Sequence, residues 1–125
     1  MTVLAELTAL PGLAPSGAGT VELLTSDGWF AVCTTGDLEP GRGVAVLLPD
    51  GAQAAVFRDS AGRLYAIGNV DPFTGAGVLC HGLLGSAGGR PYVASPLLKQ
   101  RFALEDGRCL DDDGAAVACY PLRLT

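Results

Sequence analysis

Turn-forming residues punctuate this sequence so densely that no long helix can be drawn through it. Glycine alone supplies 18 of the 125 residues, twice or more its usual share of ~7%. Because glycine weakens helix interiors, the excess favours short strands joined by turns. From Gly28 onward the segments between turns have strand character. Trp29-Phe30-Ala31-Val32-Cys33 is an apolar run, followed by turn chemistry at Asp37-Leu38-Glu39-Pro40-Gly41. Val44 to Leu48 and Ala54 to Arg58 flank Pro49-Asp50-Gly51 and predict a hairpin. Asp59-Ser60-Ala61-Gly62 then reverses the chain into Leu64-Tyr65-Ala66-Ile67. Short, evenly spaced strands of this kind predict an all-β antiparallel sandwich or barrel.

The two flanking regions differ. Residues 1–26 contain Leu10-Pro11-Gly12 and Ala14-Pro15-Ser16-Gly17-Ala18-Gly19, with little periodicity between the breakers. They read as an N-terminal extension, partly ordered at best, with a short helix over Val3 to Leu10 as its one candidate element; residues 27–125 form the domain. The middle, residues 68–98, is glycine-rich and loop-like, and strand signals return at Pro91-Tyr92-Val93-Ala94 and Arg101 to Leu104. Val117-Ala118-Cys119-Tyr120 and Leu122-Arg123-Leu124 close the chain after the acidic turn Asp111-Asp112-Asp113-Gly114.

Composition narrows the function. A net charge of −5 without Lys/Arg clusters argues against nucleic acid as a partner, and no apolar run approaches the ~20 residues of a membrane span. Glu6 without an early Lys or Arg is unlike a secretory signal, so the cytoplasm is the expected location. There the four cysteines, Cys33, Cys80, Cys109 and Cys119, are expected as free, buried thiols.

Motifs that resemble reactive sites lack the necessary partners. Cys80-His81 pairs two soft ligands, but neighbours in extended chain face opposite ways, and the sequence has no other histidine. The same geometry argues against a Cys–His nucleophilic pair. Gly85-Ser86-Ala87-Gly88-Gly89 lacks the Gly-Lys-Ser/Thr ending of a phosphate loop and reads as a flexible hairpin connection. Asp111-Asp112-Asp113 lacks the alternating ligands and distal glutamate of a calcium loop and reads as a solvated turn.

Several separated motifs, in order, carry a resemblance over about three-quarters of the chain. Trp29 with Val32-Cys33, Asp37-Leu38-x-Pro40-Gly41-x-Gly43, Leu64-Tyr65-Ala66-Ile67 with Asn69, Phe102-x-Leu104-x-x-Gly107 and Tyr120-Pro121-Leu122-Arg123-Leu124 resemble a Rieske-type domain. Such domains hold one iron by two thiolates and the other by two imidazoles, from a Cys-Pro-His and a Cys-Pro-x-His segment. Here Asp71, Phe73, Ser95 and Leu98 stand at those four places, so no cofactor or metal is expected in this chain. Asn69-Val70-Asp71-Pro72-Phe73, Val93-Ala94-Ser95-Pro96-Leu97, Lys99-Gln100-x-Phe102 and Tyr120-Pro121-x-Arg123 are similar to a cluster-free group, the small subunits of bacterial assimilatory NAD(P)H-dependent nitrite reductase. The N-terminal extension and Cys80-His81 depart from that pattern.

The resemblance implies a Rieske-like fold of small antiparallel sheets with a loop-rich cluster-type subdomain. It also implies a non-catalytic role beside a large subunit that carries FAD, siroheme and a [4Fe–4S] cluster and reduces nitrite to ammonium. Pro72, Phe73, Leu97 and Leu98 would then either fill the vacated cluster space or stay exposed as a docking patch, rimmed by Lys99, Gln100 and Arg101. Two alternatives remain open at this point: a free-standing interaction or regulatory module, and a Rieske ferredoxin with altered ligation.

Overall fold

A computed structural model describes residues 19–125; the helix expected over Val3 to Leu10 lies outside them. Nine short strands are present among the described residues: β1 (Thr20–Thr25), β2 (Gly28–Thr34), β3 (Arg42–Leu47), β4 (Gln53–Arg58), β5 (Leu64–Gly68), β6 (Leu83–Ala87), β7 (Arg90–Ala94), β8 (Arg101–Ala103) and β9 (Leu122–Leu124). They form three antiparallel sheets of three strands, ordered β2-β1-β9, β3-β4-β5 and β6-β7-β8. The arrangement is sandwich-like rather than a closed barrel.

The middle sheet explains the layering. Ala54, Val56, Leu64 and Ala66 pack on one side with Val21, Leu23 and Leu122 of the first sheet. Their neighbours Ala55, Phe57, Tyr65 and Ile67 pack on the other side with Val93 and Phe102 of the third. Because successive strand residues face opposite ways, β4 and β5 contribute to two cores at once. A sheet covered on both faces needs apolar residues without alternation. Ala54-Ala55-Val56-Phe57 and Leu64-Tyr65-Ala66-Ile67 supply them, and all eight are buried.

Two departures from the sequence expectations concern strands. β1 lies inside the stretch read as N-terminal extension, yet it is the central strand of its sheet, with Val21 and Leu23 fully buried. The strand expected over Val117–Tyr120 is reduced to a single bridge, Ile67 with Cys119. The hairpin connection read at Gly85–Gly89 is also shorter than expected. Gly85 to Ala87 belong to β6, and only Gly88 and Gly89, both at positive φ (58° and 82°), make the turn. That pair of left-handed residues is the geometry of a two-residue hairpin whose twist matches its strands.

This architecture positions two loops. Residues 69–82 leave the end of β5, and residues 95–100 join β7 to β8. Both emerge from strands fixed in the core shared by the second and third sheets.

Candidate functional site

The two loops are built on one plan. In the first, the Asp71 carboxylate accepts the Phe73 N–H at 2.8 Å. The Asp71 carbonyl accepts the Gly75 N–H at 2.7 Å, and the Asp71 N–H donates to the Ala76 carbonyl at 2.8 Å. In the second, Ser95 Oγ accepts the Leu97 N–H at 3.4 Å. The Ser95 carbonyl accepts the Lys99 N–H at 3.1 Å, and the Ser95 N–H donates to the Gln100 carbonyl at 2.8 Å. Pro72 and Pro96 occupy the position after the turn-forming side chain, where their fixed φ suits a tight turn. Each turn closes on a left-handed residue, Gly75 at φ 75° and Lys99 at φ 70°.

The loops are joined at their bases. Ser95 Oγ donates to Asp71 Oδ2 at 2.7 Å, and both residues are completely buried. This short bond is the direct polar tie between the two loops. Unsatisfied, either group would be costly in such a place; together they close the space between the turns with a polar pair.

The apolar members behave differently. Phe73 leans on the buried Phe102 ring, with centroids 6.3 Å apart and planes tilted by 51°, yet it remains 37% exposed. Leu97 and Leu98 are 50% and 54% exposed, and Pro72 and Lys99 are also exposed. Of the two sequence-level alternatives for these residues, filling the interior or lining the surface, the exposed arrangement holds for Leu97 and Leu98. Phe73 does some of each. Arg101 is drawn away from this surface into a bidentate pair with Asp111, with a shortest contact of 2.7 Å, and lies over the Tyr92 ring at 5.5 Å. Gln100 is half-buried.

Asn69 has a role that the motif reading did not foresee. Its buried carboxamide accepts the Cys80 N–H at 2.8 Å and donates to Gln53 Oε1 at 3.0 Å, while its backbone pairs with Gln53 and Leu79. It fastens the first loop to β4 and to the short 3-10 turn at Leu79–His81. An asparagine directly after a buried apolar strand, within an ordered motif, is the only signal in the sequence that could have marked it.

Cys80 and His81 do not come together as a pair. Cys80 is buried in the core, where desolvation raises its thiol pKa, and His81 is exposed. The thiols are free as expected, though only Cys80 and Cys109 are buried; Cys33 is half-exposed and Cys119 is exposed. In the acidic turn, Asp111 is held by Arg101 and Asp112 accepts the Gly114 N–H at 2.8 Å.

A model of the Rieske-like [2Fe-2S] domain matches residues 28–125. The nitrite reductase (NADH) small subunit of Salmonella typhimurium is 43% identical over 97 residues, 77% of this chain and 89% of that one. The chain belongs to the Rieske-like family, among its nitrite reductase small subunits. A crystal structure of an NADH-dependent nitrite reductase small subunit from Mycobacterium tuberculosis aligns with a TM-score of 0.69 and 56% identity, covering 71% of this chain and 79% of the other. A nitrite reductase [NAD(P)H] large subunit from Klebsiella oxytoca is 40% identical over 118 residues, which are 94% of this chain but 12% of that one.

The family's iron–sulfur cluster does not fit the residues present. Phe73 and Leu98 have no donor atom, and Asp71 and Ser95 are hydrogen-bonded to each other where two thiolates would be needed. Among the described residues, no group of three or more His, Cys, Asp or Glu side chains is placed to hold a metal ion. Nor is any helix among them long and apolar enough to cross a membrane.

Proposed function

We propose that this chain is the non-catalytic small subunit of an NAD(P)H-dependent nitrite reductase and docks on the large catalytic chain through the apex of its two loops. The observation that carries this reading is the Klebsiella relative, in which a sequence like this one lies inside a nitrite reductase large subunit. A peptide link keeps such a domain beside the catalytic machinery at high effective concentration. A separate chain needs a surface instead. Leu97, Leu98, Phe73 and Pro72 supply an exposed apolar centre, and Lys99 and Gln100 supply its polar rim.

In this reading FAD, siroheme and the [4Fe–4S] cluster belong to the large subunit, which reduces nitrite to ammonium with NADH or NADPH in the cytoplasm. The small subunit contributes shape: a rigid apex held by the Asp71–Ser95 bond and the Asn69 latch. A direct test compares NAD(P)H-dependent nitrite reduction by the purified large subunit with and without this chain, alongside iron analysis of each. Activity that rises on addition, with iron confined to the large subunit, is expected. Unchanged activity together with no association would refute the proposal.

A further inference from the structure

Building on the docking role proposed above, we infer that Lys99 is the charged anchor of the apex and receives a carboxylate presented by the large subunit. Lys99 is the one lysine of the sequence, whose other seven cationic side chains of this class are arginines. It is also the only non-glycine residue at positive φ among the described residues. A side chain at φ 70° carries a steric penalty that glycine escapes. The first loop closes the same turn with Gly75, so the backbone has no need of lysine there. Strain held at an exposed loop tip, when glycine would relieve it, points to a use for the side chain.

The surroundings indicate what that use is. The ion pairs of the described residues all involve arginine, and Lys99 belongs to none of them. The other charged residue of the two turns, Asp71, is buried and committed to Ser95 and to the Phe73 N–H. Lys99 therefore follows Leu97 and Leu98 in the same exposed turn, and among the described residues no ion pair answers its charge. Covering that patch with a purely apolar partner would strip water from an unpaired ammonium, which is costly. A partner carboxylate set in an apolar surround removes the penalty and fixes the register of docking.

The test measures association of the purified large subunit with wild type, Lys99→Gly, Lys99→Arg and Leu98→Asp at low and high salt, with a melting curve for each. Lys99→Gly is expected to melt no lower than wild type, because it relieves the backbone. It is also expected to bind at least roughly tenfold more weakly with a flatter salt dependence, and Lys99→Arg to retain most of the affinity. Wild-type affinity and salt dependence in Lys99→Gly, or a lowered melting temperature, would overturn the inference. If Leu98→Asp weakens binding while Lys99→Gly does not, only the lysine assignment fails; if neither weakens it, the docking role fails with it.

Discussion

Removing the Ser95 hydroxyl should cost this domain a large fraction of its stability. In Ser95→Ala the donor to Asp71 Oδ2, 2.7 Å away, disappears from a site that water does not reach. Hydrogen bonds to charged groups contribute about 1.5–3 kcal/mol net, and a buried acceptor left without its donor lies towards the upper end. A loss of about 2–3 kcal/mol is therefore expected. For a domain of this size it corresponds to a melting temperature lower by roughly 10–15 °C. Asp71→Ala should cost more, since it also releases the Phe73 N–H held at 2.8 Å. The assay is urea unfolding followed by Trp29, the only tryptophan, which lies beneath the Arg123 guanidinium at 4.4 Å and so reports on the first sheet. A double-mutant cycle with Asp71→Ala isolates the pair, and a coupling of about 1.5–3 kcal/mol is expected. Coupling below about 0.5 kcal/mol, or an unchanged midpoint in Ser95→Ala, would refute the claim that this bond holds the loops together.

Three further outcomes follow from individual residues. Leu98→Asp, at a half-exposed position, should leave urea stability within about 0.5 kcal/mol, while it and Phe73→Ala both weaken association with the large subunit; a folded variant that binds as wild type counts against the apex as the interface. Gly43→Ala would place a methyl 2.5 Å from Phe57 Cε1 and 2.6 Å from the Cys80 carbonyl oxygen, so a loss of about 1–3 kcal/mol or more is expected in denaturant unfolding. Burial, with the charge of Asp37 second, pushes the Cys33 thiol up to about 11 from 9.0. The folded state thus holds this proton more tightly than the unfolded chain, and its contribution is complete below pH 9 and lost as pH rises towards 11. Cys33→Ala should show a shallower decline across that window, and an identical decline in both proteins would assign it to other groups.

Much of the fold was legible because turn chemistry and strand chemistry alternate cleanly from Gly28 to Ile67. β3, β4 and β5 fall close to their expected places, since Pro49-Asp50-Gly51 and Asp59-Ser60-Ala61-Gly62 mark both reversals. β1 was hidden by its context: Val21 and Leu23 alternate as a strand should, but they follow a breaker-rich stretch and their partner β9 lies a whole domain away. β6 was hidden by Gly85, which weakens the strand signal and leaves room for the Tyr92 ring, since a Cβ there would lie 2.5 Å from Tyr92 Oη. The segment around Val117 reads as a strand by composition and pairs only through isolated bridges.

The four altered ligand positions were visible in the sequence as substitutions within a familiar frame. Their geometry was not. A serine and an aspartate separated by 24 residues give no sign in the sequence that they will hydrogen-bond in a dry interior. The left-handed backbone of Lys99 was equally hidden, because glycine is the residue that announces such a turn and the second loop does not use it. Arg101, read as part of the polar rim, is diverted by Asp111, a partner ten residues on that only the return of the chain past β8 brings near.

The central claim is that a cluster-free apex docks on the large subunit of nitrite reductase. Its most direct test is retention of that subunit, identified by mass spectrometry, on immobilised wild-type chain and on immobilised Leu98→Asp. The wild type should retain it and the variant should not, with both folded. Equal retention by the two, or by neither, would contradict the account.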